Sequence, residues 1–163
     1  MASVMTFGPD PNRKAIQLSG RFLLTEPGQP RRTCGKFSGW MRENQATLKK
    51  YFEVDLFPGS LNVQITSTLE NLHQELDLGH LKPAFVIPQH ELRAMATGLG
   101  DGQAWRARLS AELVPHPHDC WIFRRVGSRV PRNVVEVLSV LPIVKTFGVR
   151  HGQELELTLL EGS

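Results

Sequence analysis

Leu56-Phe57-Pro58-Gly59-Ser60-Leu61-Asn62-Val63 is the stretch on which the reading of this chain turns. Proline fixes φ at the first central position of a turn, and glycine supplies the positive φ that a type II turn requires next. Pro58-Gly59 therefore predicts a type II turn. The residues that follow alternate: Leu61, Val63 and Ile65 fall on one face, Ser60, Asn62 and Gln64 on the other. A hydroxyl and a carboxamide thus leave the same side of one strand. Two readings are open. The face is the polar outside of a hairpin, or two neutral oxygen ligands hold a hard cation that phosphates bridge.

Outward from that block, short strands alternate with turn residues. Residues 15–24, 83–88, 103–114, 119–126, 134–140 and 154–160 read as strands, and residues 36–41 as a further short one. Residues 44–52 read as a helix, because Leu48, Tyr51 and Phe52 fall at i, i+3 and i+4. A shorter helix is expected over 68–76, and another of one to two turns ending at Gly148, where glycine makes a natural C-cap. Residues 25–32 form a Pro/Gly/Arg loop. Residues 1–12 read as a flexible tail, leaving 13–163 as a single domain. Many short strands joined by turns predict a mainly β fold, closed or nearly closed into a barrel.

Composition narrows the function classes. The 163 residues suffice for one domain with a real core, and 40% hydrophobic against 21% charged residues excludes a disordered chain. A net charge of +3 favours an anionic ligand without arguing for nucleic acid, which counts against a DNA-binding or regulatory barrel. Cys34 and Cys120 fit a reducing compartment better than a disulfide framework. No apolar signal region opens the sequence, and no apolar run reaches the length of a membrane span. The expectation is a cytoplasmic monomer with no nucleic-acid or membrane partner.

Phe57 to Val63 closely resembles the (Tyr/Phe)-Pro-Gly-(Thr/Ser)-Leu-Asn-Val signature of the CTP-dependent, archaeal-type riboflavin kinases. A second block, Asn133-Val-Val-Glu136-Val-Leu138 followed by residues 141–157, is similar to that family's closing pattern. There a strand ending in Glu-Ile-Ile precedes a short helix and then Gly-Leu-x-x-Gly-Asp-x-Val-x-Ile. The resemblance runs loosely over 16–159. It implies a six-stranded cradle-loop barrel with a few short helices, and Mg²⁺-dependent transfer of a phosphoryl group from CTP to riboflavin, giving FMN. Mg²⁺ would rest on Ser60 and Asn62. A Thr/Glu pair eight positions apart contacts the flavin in that family, which here implies Ser128 and Glu136. Glu136 would also orient the ribityl hydroxyl and take its proton.

Two segments depart from the family. Its nucleotide loop, Gly-x-Gly-Glu-Gly, falls at Arg31-Arg32-Thr33-Cys34-Gly35, so Arg31, Arg32, Thr33 and Gly35 are the candidate nucleotide ligands. Arginine side chains would replace backbone N–H groups there, unless the pair is simply solvated surface. The family's basic stretch after the flavin Glu is Leu141-Pro142-Ile143-Val144 here, followed by Lys145 as its candidate substitute. A lysine in the last turn of a helix also suits the helix dipole. This combination fits a divergent kinase, a kinase with another phosphate donor, or a flavin- or nucleotide-binding barrel that has lost catalysis.

Four further features carry weaker signals. Gly98-Leu99-Gly100-Asp101-Gly102 reads as a hairpin turn before the strand at 103 rather than as a phosphate cradle. His116-Pro117-His118-Asp119-Cys120 lacks a standard zinc spacing and reads as a surface connector. Arg124, Arg125, Arg129 and Arg132 bracket Ser128, either as an exposed basic loop or as charge beside a phosphate site. Trp40, Trp105 and Trp121 read as core or rim residues, one of them available to stack on a flavin ring.

Overall fold

The computed structural model describes residues 15–23, 36–68, 81–93, 99–111, 116–130 and 133–160. Its strands are β1 (Ala15–Leu23), β2 (Leu61–Thr68), β3 (Phe85–Ile87), β4 (Gly102–Ser110), β5 (His118–Arg125), β6 (Val134–Leu138) and β7 (Glu154–Leu160). Three short helices, α1 (Lys36–Glu43), α2 (Gln45–Phe52) and α3 (Ile143–Phe147), join them, with a 3₁₀ turn at Gln89–Glu91. The sheet order is β3-β4-β5-β6-β2-β1-β7, and a further pairing of β4 with β7 closes six of the strands into an antiparallel barrel. The mainly β barrel with few helices expected from the sequence is what the chain forms.

Closure works because β4 divides one edge between two partners. Its first residues, Gly102 to Ala104, pair with β3. Its later ones, Arg106 to Ser110, pair with β7. The opposite edge pairs with β5 along its length. Inward-facing residues then fill the barrel, among them Leu18, Val63, Trp105, Ile122, Val137 and Leu157. The alternation seen from Ser60 to Ile65 holds: Leu61, Val63 and Ile65 are buried at 2%, 0% and 8% exposure.

A second apolar layer lies outside the barrel wall. Trp40, Met41, Leu48 and Phe52 of α1 and α2 pack on Trp121, Phe123 and Leu138. Phe52 and Trp121 meet edge to face at 5.1 Å between ring centres, a favoured aromatic geometry. Glu91 fastens α2 from its far side, accepting hydrogen bonds from Tyr51 Oη and from Lys50 Nζ at 2.7 Å. The three tryptophans are all core: Trp40, Trp105 and Trp121 are exposed by 4%, 0% and 3%.

Local expectations are corrected at three places. Residues 36–41 are not a strand but the start of α1. Phe37, Trp40, Met41 and Asn44 recur at helical spacing, and Trp40 and Met41 bury against the barrel wall. Asn44, between α1 and α2, donates from Nδ2 to the Trp40 carbonyl and accepts the Arg93 N–H on Oδ1, tying the helix junction to the segment after the 3₁₀ turn. Pro58-Gly59 is a bend, not a type II turn. Gly59 has φ +156°, far from the value a type II turn needs. Its N–H meets Met41 Sδ at 3.1 Å, and the Phe57 N–H reaches the Ser139 carbonyl at 2.9 Å. Contacts with α1 and with the end of β6, rather than a self-contained turn, set the entry into β2. Third, of the turn expected over Gly98 to Gly102, Gly98 lies outside the described residues and Leu99 to Gly102 is no hairpin turn: Gly100 N donates to the Val126 carbonyl at 2.8 Å and the segment runs straight into β4. The helix at Gly148 is present, with that residue at φ 63°. The expected tail at 1–12, the loop at 25–32 and the helix at 68–76 beyond Thr68 lie outside the described residues.

The β1–β2 register shifts between Ser19 and Gly20, where Thr66 of β2 is the extra, bulged residue. A Cβ at Gly20 would lie 2.6 Å from Val63 Cγ1 and 2.8 Å from the Gln64 carbonyl oxygen. Backbone has little room to give, so Gly20→Ala is expected to destabilise the barrel by about 1–3 kcal/mol. Urea unfolding measures this, and a midpoint equal to wild type would contradict the close packing of β1 on β2.

Candidate functional site

Asn62 on β2 stands directly opposite Glu136 on β6, and Leu61 opposite Val137. Opposed residues of an antiparallel pair leave the same face. Val63, Val135 and Val137 are in the barrel core, so Asn62 and Glu136 occupy the outer wall together. On its other side Glu136 has Phe123 of β5 as its neighbour. The two specific blocks of the sequence, more than seventy residues apart in the chain, therefore meet at one strand pair.

Asn62 Oδ1 is buried and has no hydrogen-bond partner among the described residues. An unsatisfied buried acceptor costs about 1–3 kcal/mol, and a donor or a hard cation would relieve it. Glu136, half-buried beside it, adds a carboxylate to the same wall.

Ser60 immediately precedes β2 and borders a cavity of about 250 Å³. Phe57, Leu141, Pro142 and Val144 supply apolar wall, while Lys145 of α3 and Ser139 add polar groups. Ser60 and Lys145 thus share a cavity. Asn62 lies outside its lining, so the two expected cation ligands do not share this cavity.

Ser128 and Glu136 do border one cavity, with Phe123 and Arg124, but it is only about 10 Å³. Ser128 Oγ accepts the Val130 N–H at 3.2 Å, which fixes the turn after β5. Arg31, Arg32, Thr33 and Gly35 lie outside the described residues.

The basic cluster around Ser128 is not a uniform exposed loop. Arg124 Nη2 donates to the Val130 carbonyl at 2.7 Å. Arg125 is only 7% exposed, with Nε donating to the Gly100 carbonyl at 2.7 Å and its guanidinium 5.7 Å from the Trp40 ring centre. Burial pulls its pKa down. Arg129 is exposed, and Arg132 lies outside the described residues.

Two residues of the site escape the sequence reading. His118 and Ser139 approach at 2.7 Å between Nε2 and Oγ, and Ser139 Oγ also accepts the Leu141 N–H at 3.1 Å. Ser139 is 3% exposed, on the wall of the Ser60 cavity. The 116–120 segment is therefore a surface connector only at His116 and Pro117. His118 opens β5, half-buried, while Asp119 and Cys120 are buried. Asp119 accepts a hydrogen bond from Arg108 Nε at 3.1 Å, and burial pushes the free Cys120 thiol far above its usual range. Only the β5 register with β6 could have revealed that His118 reaches Ser139, and proline flanks disguise that strand's start.

Among the described residues no cluster of three His, Cys, Asp or Glu could hold a metal ion, so a cation here would depend on the Ser60 and Asn62 oxygens. No described helix is long and apolar enough to cross a membrane. Compared with models of known protein families and with curated proteins, the chain matches none.

Burial lowers the pKa of His118 below its usual 6.5, outweighing the opposing pull of Asp119. The unfolded chain therefore binds a proton that the folded one resists, so this contribution to stability is present above pH 6.5 and is lost as pH falls below it. NMR titration is expected to place the His118 midpoint below that value, and His118→Gln to flatten the decline of stability on acidification. A midpoint at or above the usual value would contradict the packing described for β5.

Proposed function

We propose that this protein is a riboflavin-kinase-like phosphotransferase on a cradle-loop barrel, moving a phosphoryl group from a nucleoside triphosphate, CTP by family resemblance, to riboflavin to give FMN. One observation carries the reading. The buried, unpartnered Asn62 oxygen stands beside Glu136 at the strand pair where both family-like blocks meet. Hard oxygen donors without charge suit Mg²⁺ that is shared with phosphates, because Mg²⁺ keeps several waters and takes few protein ligands. Asn62 and Ser60 would hold it. Bound there, it supplies neutralisation of phosphate charge.

The remaining roles follow from position. The apolar cavity beside Ser60 is of a size to take a base, and Lys145 at its rim would meet the phosphates. Glu136 would accept the proton of the ribityl hydroxyl as its oxygen bonds to the γ-phosphorus and the bond to the β–γ bridging oxygen breaks. Ser128 would hydrogen-bond the flavin. Phosphoryl transfer relies chiefly on positioning and electrostatics, so these few groups suffice in kind.

A second reading has its own support. The cavity shared by Ser128 and Glu136 is about 10 Å³, against several hundred for an ordinary ligand pocket. That favours a nucleotide-binding barrel without kinase activity. Incubation with riboflavin, Mg²⁺ and each of CTP, ATP, GTP and UTP, following FMN by chromatography, separates the two. FMN formation is expected. Triphosphate binding without FMN would leave the non-catalytic binder.

Two variants test the roles. Asn62→Ala is expected to abolish Mg²⁺-dependent nucleotide binding and FMN formation while leaving riboflavin affinity nearly unchanged. Glu136→Gln is expected to weaken riboflavin binding by about 1–3 kcal/mol, the range for a hydrogen bond to a charged group. Calorimetry on folded variants measures both, and wild-type affinities in either would reject the corresponding role.

A further inference from the structure

The cavity beside Ser60 contains a polar group whose hydrogen-bonding direction is fixed from behind. Ser139 Oγ accepts one hydrogen bond, from the Leu141 N–H at 3.1 Å, and lies 2.7 Å from His118 Nε2. A hydroxyl has one proton to give and two lone pairs to share. Were the proton on Nε2, Oγ would accept twice and its own proton would be left facing mainly apolar wall. With Nε2 unprotonated, the hydroxyl donates to it, both groups are satisfied, and one lone pair of Oγ remains. Burial of His118 favours the neutral ring that this arrangement requires.

We propose that Ser139 is a specificity-determining residue of this cavity, presenting a hydrogen-bond acceptor whose polarity is set by His118. The ligand it selects is a heteroaromatic ring bearing an amino group, over the same ring bearing a carbonyl. An amino N–H meets the spare lone pair, whereas a carbonyl oxygen would face it lone pair to lone pair. Ser139 is held rigidly for this task, because its own carbonyl accepts the Phe57 N–H at 2.9 Å. Phe57, Leu141 and Val144 provide the apolar walls for a flat ring. The assignment rests on reading the cavity as the base site of the nucleotide, and adds the feature by which that base is distinguished.

Paired nucleotides that differ at the one exocyclic group test it: CTP against UTP, and ATP against ITP, each titrated with Mg²⁺ into the full chain at pH 8. The amino member of at least one pair is expected to bind about tenfold more tightly, the scale of one hydrogen bond gained against one acceptor clash. Ser139→Ala should bring that ratio close to one, and Ser139→Thr should keep it. His118→Phe frees the hydroxyl proton and should reduce or invert the ratio. A merely structural role would lower both members of a pair alike. Nucleotides that bind with the same ratio in Ser139→Ala overturn the proposal and leave the base-site reading standing. Absence of any nucleotide binding removes both. Independently of ligand and variant, ¹⁵N NMR of the wild type should show His118 Nε2 unprotonated, and a proton found on Nε2 would overturn the assignment.

Discussion

Pairing of β7 with the later half of β4 is the constraint on which the rest depends. It closes a sheet that would otherwise end in two open edges, and a closed small barrel must fill its inside with side chains. Trp105, Ile122, Val137 and Leu157 do so. No ligand can then sit in the lumen. Chemistry is confined to the outer wall and to the ends of the strands, where helices cover part of the surface and leave the rest to polar groups.

The outer wall is divided by the same logic. α1 and α2 cover Trp121, Phe123 and Leu138, so the polar residues next along the sheet, Glu136 and then Asn62, lie at the border of that apolar cover. A border position is where a carboxamide can be buried yet lack a partner. The bend at Pro58-Gly59, held by Met41 and Ser139, turns the chain just before this point and brings Ser60 to the neighbouring cavity. Helix cover, strand register and the bend together produce a site from residues that are individually unremarkable.

The sequence carries the strands well because most obey the period of two, and Leu61, Val63 and Ile65 are the clearest case. It misleads at α1, where Gly39 interrupts a short segment whose helical spacing is only evident once Trp40, Met41 and Asn44 are seen to face the wall together. It misleads again at Pro58-Gly59, because the favoured turn type is a local preference and tertiary contacts override it. Asn62 and Glu136 are legible as motif residues, but their being neighbours depends on the β2–β6 register, which no local pattern encodes. His118 and Ser139 are not legible at all: a histidine just after a proline and a serine after a strand become a pair only through non-local pairing. Arg125 reads as part of an exposed basic loop or as charge beside a phosphate site, and is instead buried against Trp40, since its long side chain runs under the segment that leads into β4.

The central claim is that the buried Asn62 oxygen meets a divalent cation only when that ion arrives with a nucleotide. Paramagnetic broadening of side-chain amide signals by Mn²⁺ in place of Mg²⁺, recorded with and without CTP, tests it most directly. The account predicts that the Asn62 side-chain amide broadens strongly when Mn²⁺ and CTP are both present, while Gln64, two residues further along the strand, broadens much less. With Mn²⁺ alone, Asn62 should stay sharp. An Asn62 signal that stays sharp while CTP and Mn²⁺ are bound, or that broadens equally without nucleotide, would contradict it.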